Sequence, residues 1–424
     1  MDYLFKNINI LDPVDGEKRN MYLGVSGTKI SYLSDKEPEE KPARIIDGEN
    51  RLLIPGLKNT HTHIAMSALR GVCDDRNLNE WLFDNIIPRE AKLDREKTRI
   101  SALMGMLEAI AGGTTAICDM YFHMPDIGRA AKQLGLRANI GNAVLAMENF
   151  DESDRSVTEL YELMEEFPHD ELIKPVTGVH SIHTTYSDVW KWVREKVEEY
   201  DIPMIMHMSE AEVDNETCRR LYGDSPAAVL EKEGLFTKNT LIAHGVWVDE
   251  RDLEILKRND VSLSHCPVSN LKLASGIAPV KDYLRHGVNV TIGTDGVASN
   301  NSLDMLEEMK FTALLQRRAG MDENTVTAAD VFRFATVNAA KALAIDNCGL
   351  LKEGYDADIV MLSLDRPGLY PHRNLLSNLV YSSNASDVCL TMVRGRVIYE
   401  DGEYPGVDHE KIIHEFLNKV VPEL

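Results

Sequence analysis

Two histidines separated by one residue, His61 and His63, are the strongest candidates for a metal site in this sequence. Residues i and i+2 of a β-strand point to the same side, so both imidazoles can aim at one point. A third imidazole from His207 and a carboxylate from Asp295 would complete a shell of three nitrogens and one oxygen. Such a shell, with room left for water, suits Zn2+ or Fe2+. An ion held there would lower the pKa of a bound water to about 7 and so supply hydroxide at neutral pH.

Further ionisable residues lie on or just after the apolar runs that we interpret as strands. A lone histidine in such a place is more often a hydrogen-bonded structural residue than a ligand. Several of them on separate strands reverse that preference, because barrel enzymes keep their active sites at the carboxyl ends of their strands. The additional candidates of this kind are His180, Glu210, His244 and His265.

Short apolar runs alternate with amphipathic stretches between these candidates, which is typical of repeated βα units on a parallel sheet. Helical periodicity is clearest at residues 187–200 and 249–259. The strand count favours a closed (β/α)8 TIM-type barrel over an open doubly wound sheet, which would also need a glycine-rich phosphate loop after its first strand. The predicted strands are residues 52–59, 114–120, 137–144, 173–180, 203–208, 239–245, 261–267 and 289–296.

The two ends of the chain differ from its middle. Short extended runs broken by turn residues fill the N-terminal part, and similar runs resume after Gly354. Neither end has enough strands to bury a core of its own. We therefore predict a small β-sandwich-like domain built from residues 1–50 and 350–424, packed on a barrel domain of residues 51–349.

Composition narrows the possible partners and compartment. The chain has 424 residues and a formal net charge of −22, which repels phosphate backbones and anionic lipid, so nucleic-acid polymers and membranes are poor partners. The simpler interpretation of this charge is a solvated acidic exterior. Six cysteines without a C-x-x-C pair indicate neither a disulfide framework nor a zinc finger. The N-terminus lacks a basic region followed by a long apolar stretch, so we expect a cytoplasmic protein.

Several motifs of this chain resemble the amidohydrolase superfamily over nearly the full length. Residues 55–63 read PGLKNTHTH, residues 269–273 read SNLKL, and residues 293–301 read GTDGVASNN. The run GYDADIV at 354–360 is similar to the entry into the superfamily's terminal β-domain. Within the superfamily, the sequence most resembles the branch of 5′-methylthioadenosine/S-adenosylhomocysteine deaminases, including the archaeal 5′-deoxyadenosine deaminases.

The resemblance implies one divalent metal ion per subunit, Zn2+ in the first place and Fe2+ as an alternative, bound by His61, His63, His207 and Asp295. Two-metal members bridge their ions with a carboxylated lysine near the end of strand 4, whereas residues 176–180 here read VTGVH. The family also implies a homo-oligomer, with a tetramer as one form, but no sequence feature identifies an interface.

The resemblance also implies substrate contacts. Glu90 would accept hydrogen bonds from ribose hydroxyls, although without this context it reads as a solvated loop carboxylate. His180 matches the family's substrate-contacting histidine better than His183, and Glu210 would reach the ring nitrogen beside the amino-bearing carbon. Trp81 and Met120 could flank an adenine, and ordinary packing explains them about as well.

These roles imply hydrolytic deamination of an adenosine-type nucleoside to an inosine-type product and ammonia. Hydroxide would attack C6 of the purine while Asp295, as ligand and general base, takes its proton and His244 holds the attacking oxygen. Protonated Glu210 would donate to N1. Candidate substrates are 5′-deoxyadenosine, 5′-methylthioadenosine, S-adenosylhomocysteine and adenosine.

One departure from the family bears on the substrate's 5′ end. Where members that prefer S-adenosylhomocysteine carry an arginine shortly after strand 3, this chain has Asn142, which cannot form a charged bidentate clamp. Arg155 matches a second family arginine only with a one-residue shift. We therefore expect a preference for substrates without the amino-acid carboxylate.

Other functions remain open at this point. A guanine-type deaminase or a chlorotriazine-type hydrolase could use the same scaffold, but Glu90, His180 and Glu210 together favour a nucleoside. A catalytically inactive scaffolding barrel is a third alternative, and the retained ligand set argues against it. The roles of His123, His183 and His265 stay undetermined.

Overall fold

The N-terminal part of the chain forms five strands of one sheet. They are β1 (Tyr3–Asp12), β2 (Gly16–Ser26), β3 (Lys29–Ser34), β4 (Arg44–Asp47) and β5 (Arg51–Pro55). Strand β1 pairs antiparallel with β2 and parallel with β4 and β5. This structure is a computed structural model that describes residues 1–76, 78, 80–146, 149–151, 153–317 and 325–424.

The next ten strands surround the centre of the structure. They are β6 (Leu57–Thr62), β7 (Thr114–Met120), β8 (Arg137–Gly141), β9 (Ala143–Val144), β10 (Ile173–Pro175), β11 (Thr177–Val179), β12 (Met204–Met208), β13 (Leu241–His244), β14 (Ser262–His265) and β15 (Asn289–Ile292). They pair in parallel in the orders β10-β8-β7-β6 and β15-β14-β13-β12-β11-β9. The barrel closes between β15 and β6, where Thr60 Oγ1 donates to Ile292 O at 2.9 Å. The predicted (β/α)8 barrel is confirmed.

Two predicted strands are broken. Strands β8 and β9 share one barrel position on either side of Asn142, and β10 and β11 share the next around Val176. Glycines allow the backbones to approach closely here: a Cβ on Gly141 would lie 1.8 Å from Val176 O, and one on Gly178 would lie 1.7 Å from Ile205 O. Any larger residue at either position would force the strands apart.

Helices follow most barrel strands, and the two predicted ones are present. Residues Ser187–Tyr200 form a helix that buries Val189, Trp190, Val193 and Val197 on one face, and Glu250–Arg258 form another. Of the helices in the described ranges, none is long and apolar enough to cross a membrane. The α-helices are α1 (Ile87–Glu90), α2 (Arg95–Ala111), α3 (Met124–Leu134), α4 (Arg155–Glu166), α5 (Ser187–Tyr200), α6 (Glu212–Tyr222), α7 (Pro226–Lys232), α8 (Glu250–Arg258), α9 (Pro267–Lys272), α10 (Val280–His286), α11 (Val297–Asn300), α12 (Met305–Leu315), α13 (Ala328–Phe334), α14 (Val337–Ala342), α15 (Leu375–Tyr381) and α16 (His409–Glu415).

The last three strands, β16 (Ile359–Ser363), β17 (Val388–Val393) and β18 (Arg396–Glu400), complete the N-terminal sheet in the order β18-β17-β16-β5-β1-β2-β3. Strand β5 belongs to this sheet, so the predicted strand 52–59 is in fact two strands. They separate at Gly56, where a Cβ would lie 2.2 Å from Thr115 Oγ1. The pair Pro55-Gly56 is a local turn signal at this break, which the prediction of one strand overlooks. The division into two domains at residues 50 and 350 stays a prediction.

A buried ion cluster joins this sheet to the barrel. Arg137 opens β8, and its Nε lies 2.7 Å from Asp358 Oδ2 while its Nη2 lies 2.6 Å from Asp356 Oδ2. All three side chains are at most 8% exposed. Cys348 Sγ donates to Asp358 Oδ2 at 3.2 Å. Asp356 also pairs with Lys29, whose Nζ lies 2.5 Å from its Oδ1, whereas the fully buried Asp358 has its ion pair with Arg137.

Replacing Arg137 with methionine is therefore expected to lower the free energy of unfolding by about 3–5 kcal/mol, because it leaves the buried Asp358 carboxylate without its charged partner. Denaturant unfolding would measure the change. The matched control is Arg258→Met, which breaks an exposed pair with Glu231 and should cost at most about 1 kcal/mol. Equal losses in both variants would contradict this account of the cluster.

Candidate active site

Four of the predicted site residues meet at the carboxyl ends of the barrel strands. His61 lies on β6, His63 follows it, His207 lies on β12, and Asp295 follows β15. The ligand atoms of His61, His63 and Asp295 lie within 4.8 Å of one another, as do those of His61, His207 and His244. Asp295 has a φ of 62°, a left-handed conformation that costs energy and is concentrated at functional sites.

The distances between these atoms fit a single ion. Two ligand atoms that are each 2.0–2.1 Å from a tetrahedral zinc lie about 3.3–3.4 Å apart. His63 Nε2 is 3.2 Å from Asp295 Oδ1, His61 Nε2 is 3.5 Å from the same oxygen, and His207 Nε2 is 3.3 Å from His63 Nε2. The donor set therefore has the spacing that one zinc-sized cation requires.

Hydrogen bonds on the far side of the rings turn the lone pairs inward. His63 Nδ1 donates to Met120 O, and His207 Nδ1 donates to His180 O at 3.0 Å. Each Nε2 is then free to act as a ligand, and such bonds are the usual outer support of metal-binding histidines. His61 Nε2 is buried and has no hydrogen-bond partner within the described part of the chain. An unpaired buried nitrogen at this point is what a cation would satisfy.

Protonation of the rings is consistent with this arrangement. Burial lowers the pKa of His61 to about 4 and that of His207 well below its usual value, so both rings are neutral, as metal binding requires. Burial also opposes a charge on His63, but the Asp295 carboxylate outweighs burial and raises the pKa of His63 to about 9. The centre thus favours one positive charge beside Asp295.

Three hydrogen-bond donors besides the histidines hold the Asp295 carboxylate. Its Oδ2 accepts hydrogen bonds from Ser269 Oγ at 2.6 Å and from Ser299 Oγ at 2.8 Å, and its Oδ1 accepts one from Gly296 N at 2.8 Å. Burial opposes ionisation, but the contacts with His61 and His63 lower the pKa of Asp295 well below its usual value. The carboxylate is therefore ionised and oriented with one oxygen toward the histidines.

Glu210 faces the same centre, and its surroundings shift its pKa in the opposite direction. Its Oε2 lies 3.5 Å from His244 Nε2, and its Oε1 accepts a hydrogen bond from Ser275 Oγ at 3.2 Å. Burial raises the pKa of Glu210. Two carboxyl groups whose surroundings push their pKa values apart can divide the work of proton acceptor and proton donor.

A cavity opens from this centre toward the solvent. Glu90 and His180 reach it, and His180 Nδ1 lies 3.1 Å from Thr184 Oγ1. Glu90 is buried, burial raises its pKa, and its Oε1 lacks a hydrogen-bond partner among the residues described. A buried carboxyl group with an unpaired oxygen can form hydrogen bonds with a hydroxylated ligand. The apolar side chains that line the cavity are Met66, Leu78, Trp81, Leu82, Phe83, Ile87, Met120, Phe122, Leu145 and Leu273.

Asn142 and Arg155 lie beside Glu159. Asn142 is buried, and its Nδ2 donates to Glu159 Oε2 at 2.6 Å. Arg155 stacks on the Phe122 ring at 4.3 Å, and its Nε is 3.8 Å from Glu159 Oε1. Neither belongs to the cavity lining formed by the described residues. Glu159 engages both polar groups, and the predicted substrate contacts of Asn142 and Arg155 stay predictions.

The three unassigned histidines have different surroundings. His123 Nε2 lies 3.3 Å from Leu93 O, outside the cavity lining. His183 lines the cavity, and its Nε2 is 3.7 Å from Asp214 Oδ1. His265 is fully buried, burial lowers its pKa to about 3, and its ring nitrogens have no partner in the described ranges. Of the three, only His183 is placed to contact a ligand in the cavity.

Sequence reasoning missed the residues that hold the acid and base groups. Ser269, Asn270, Ser275 and Ser299 hydrogen-bond to Asp295, His244 or Glu210. Ser269, Asn270 and Ser299 fall within the family-like motifs at 269–273 and 293–301, which is the only signal that could have singled them out.

Comparison with known proteins gives consistent results. Residues 52–398 match the Amidohydrolase family. A 5-methylthioadenosine/S-adenosylhomocysteine deaminase of Dictyoglomus thermophilum is 38% identical over 98% of this chain and 97% of that protein. A 5′-deoxyadenosine deaminase of Methanothermobacter thermautotrophicus is 40% identical over the same shares, 98% and 97%. The solved structure of an adenosine deaminase from Xanthomonas campestris with bound zinc has a TM-score of 0.92 and 29% identity, covering 98% of this chain and 97% of that one.

Proposed function

This chain belongs to the amidohydrolase family, and on that premise we propose that it is a metal-dependent hydrolytic deaminase of adenosine-type nucleosides. The observation that carries the proposal is the pairing of ionised Asp295 with a Glu210 of raised pKa beside a donor set for one cation. This pair can accept protons from the attacking water and donate protons to the substrate, as replacement of an amino group by water requires.

In the proposed reaction, water adds to C6 of the purine, the C6–N bond breaks, and ammonia leaves with an inosine-type product. His61, His63, His207 and Asp295 would hold the ion, which supplies the Lewis acidity that activates water at neutral pH. Asp295 Oδ1 accepts one proton of the attacking water and passes it to the amino group, which leaves as ammonia. The other proton of that water passes to Glu210 as the C6 carbonyl forms, and it replaces the proton that Glu210 gives to N1.

The remaining residues bind and orient the nucleoside. Glu210 donates its proton to N1, so that addition builds no charge on the ring. His244 holds the attacking oxygen, His180 contacts the base, and Glu90 accepts hydrogen bonds from the ribose hydroxyls. The proposal includes Asp295 and Glu210 as groups that touch the substrate directly.

We also propose a zinc cofactor, a cytoplasmic location and a homo-oligomeric assembly. One zinc ion per subunit fits the donor spacing, and the Xanthomonas campestris adenosine deaminase binds zinc. The protein would act on a small-molecule nucleoside as a cytoplasmic homo-oligomer, and its net charge of −22 disfavours a nucleic-acid or membrane partner.

A panel of substrates tests this function. The zinc-loaded protein is expected to release ammonia from 5′-deoxyadenosine, 5′-methylthioadenosine and adenosine, and to release neither ammonia from guanine nor chloride from a chlorotriazine. Guanine or chlorotriazine turnover above that of every nucleoside would replace the proposal with the corresponding rival.

Within that panel, we expect neutral 5′ substituents to be preferred. The described part of the cavity lining includes no lysine or arginine, and Arg155 already faces Glu159. A carboxylate there would lose its hydration without gaining a charged hydrogen bond, which is worth about 1.5–3 kcal/mol, or about 10- to 100-fold in kcat/KM. The measurement is kcat/KM for 5′-methylthioadenosine against S-adenosylhomocysteine.

The matched control is the carboxamide of S-adenosylhomocysteine, which keeps the length of the substrate and removes its carboxylate charge. It should recover most of the lost kcat/KM. A higher kcat/KM for S-adenosylhomocysteine than for both 5′-methylthioadenosine and the carboxamide would contradict this preference.

A further inference from the structure

One segment, residues 269–275, contacts the proposed base Asp295, the proposed acid Glu210 and His244, which is proposed to hold the attacking oxygen. It follows β14 and includes the end of α9. Its hydrogen-bond partners come from three other strand ends: Glu210 after β12, His244 on β13, and Asp295 after β15. Ser269, Asn270 and Ser275 are all buried. A short stretch of chain that bonds to three converging groups can fix their mutual geometry.

The contact between Asn270 and His244 is the most specific of the three. His244 Nδ1 lies 2.9 Å from Asn270 Oδ1, and both side chains are almost completely buried. A carbonyl oxygen can only accept, so Nδ1 carries a proton, and in the corresponding tautomer of the neutral ring the lone pair lies on Nε2. That lone pair faces Glu210 Oε2 at 3.5 Å. His244 is then an acceptor toward the cavity, as needed to hold a water that attacks the substrate.

The serines of the segment act on the carboxyl groups. Ser269 Oγ donates to the Asp295 oxygen that faces away from the histidines, and Ser275 Oγ donates to Glu210 Oε1. Both bonds leave the second carboxyl oxygen directed at the centre. An ionised Asp295 accepts such a bond strongly.

Hydrogen bonds to its own backbone hold the segment in place. Ser275 N donates to Asn270 O at 2.9 Å, which closes the loop. Trp247 Nε1 donates to Ser275 O at 2.7 Å. Ala274 and Gly276 both have positive φ, 56° and 125°, which bends the chain back toward the barrel. The donors and acceptors therefore point inward from a closed loop.

We infer that residues 269–275 are a positioning segment for the proposed deamination, in which Asn270 sets the tautomer of His244 and the two serines orient Asp295 and Glu210. Asn270 is the residue on which the inference depends most, because its side chain decides which nitrogen of His244 faces the cavity. The inference rests on the proposed function for its kinetic consequence, while the tautomer of His244 is a structural property that can be measured separately.

The test compares Asn270→Leu with Asn270→Asp in the full-length zinc-loaded protein. Leucine has a similar shape but accepts no hydrogen bond, so kcat for 5′-deoxyadenosine should fall about 10- to 100-fold with little change in KM. Aspartate keeps the acceptor oxygen and should retain most of kcat. The control is Asn139→Leu, another buried barrel asparagine whose Nδ2 donates to Leu343 O at 3.0 Å, away from the acid and base groups. Its kcat should be unchanged.

Nuclear magnetic resonance of 15N-histidine-labelled protein gives a readout apart from activity. A protected Nδ1–H signal that disappears in His244→Asn should be present in the wild type and Asn270→Asp and absent from Asn270→Leu. Zinc content should be equal in all of them. An Nε2–H signal from His244 in the wild type, or Asn270→Leu with wild-type kcat, would overturn the inference. A wild type that shows the Nδ1–H signal but deaminates no nucleoside would instead overturn the proposed function.

Discussion

Removal of the divalent ion is expected to stop ammonia release, and His207→Ala is expected to prevent its recovery. His207 Nε2 lies 3.3 Å from His63 Nε2, and its Nδ1 donates to His180 O, so alanine removes a ligand together with its anchor. Loss of the ion's Lewis acidity costs several kcal/mol in the transition state, which corresponds to about 10⁴-fold or more in kcat. The measurement is kcat for 5′-deoxyadenosine after dialysis against a chelator and again after addition of zinc.

The wild type should regain activity with one zinc per chain, and His207→Ala should regain neither activity nor stoichiometric zinc. The matched control is His286→Ala on α10, whose two ring nitrogens are engaged by Asp282 O and the Glu250 carboxylate, outside the proposed ligand set. It should behave as the wild type does. Full kcat in zinc-free protein would exclude a metal-dependent reaction at this site.

The proposed ligand set could be predicted from two regularities. Side chains alternate between the two faces of a strand, and a parallel barrel brings the carboxyl ends of its strands together. His61 and His63 are separated by one residue, and His207 and Asp295 each lie at the end of a predicted strand. The structure adds what periodicity cannot give. Strand β6 ends at Thr62, so His63 is already outside the strand, and its ring is directed by the bond from Nδ1 to Met120 O.

The breaks within strands depend on contacts that a strand prediction does not include. Residues 52–59 are predicted as one strand, yet the chain passes from the terminal sheet to the barrel at Gly56, after the turn signal Pro55-Gly56. Only the structure shows that this glycine lies against Thr115, which is 59 residues later in the sequence. Asn142 illustrates the same difficulty: its type excludes a charged clamp, but only the structure brings it to Glu159.

The hydrogen bonds that support the acid and base residues depend on such distant contacts as well. Ser269 and Asp295 are 26 residues apart, and so are Asn270 and His244. No local pattern marks a serine or an asparagine as the partner of a particular carboxylate or imidazole. The residues proposed to perform the chemistry can therefore be predicted from one sequence, whereas the residues that orient them cannot.

Glu210→Gln is expected to lower kcat about 10²- to 10⁴-fold, because an amide has the shape of the carboxyl group but cannot transfer its proton to N1. Glutamine can still accept from Ser275 Oγ, so the side chain should keep its place. Zinc content should be unchanged, since Glu210 is outside the proposed ligand set. The matched control is Glu212→Gln, an exposed residue at the start of α6, which should leave kcat unaltered.

The pH dependence gives a sharper version of the same test. Burial raises the pKa of Glu210, and a proton donor works only while protonated, so wild-type kcat should fall as the pH rises through that raised pKa. The residual activity of Glu210→Gln should lack this decline. Stability should change in the same pH range: a carboxyl group with a raised folded-state pKa contributes stability below its unfolded pKa and loses it as the pH rises through the folded one.

Glutamine does not ionise, so the Tm of Glu210→Gln should fall less steeply than that of the wild type over this alkaline limb. The variant would then be the more stable protein and the poorer enzyme, as expected where a buried ionisable group is kept for proton transfer rather than for stability. Near wild-type kcat in Glu210→Gln, with the same decline as the pH rises, would assign proton donation to another group, and the raised pKa of Glu210 would have no catalytic role.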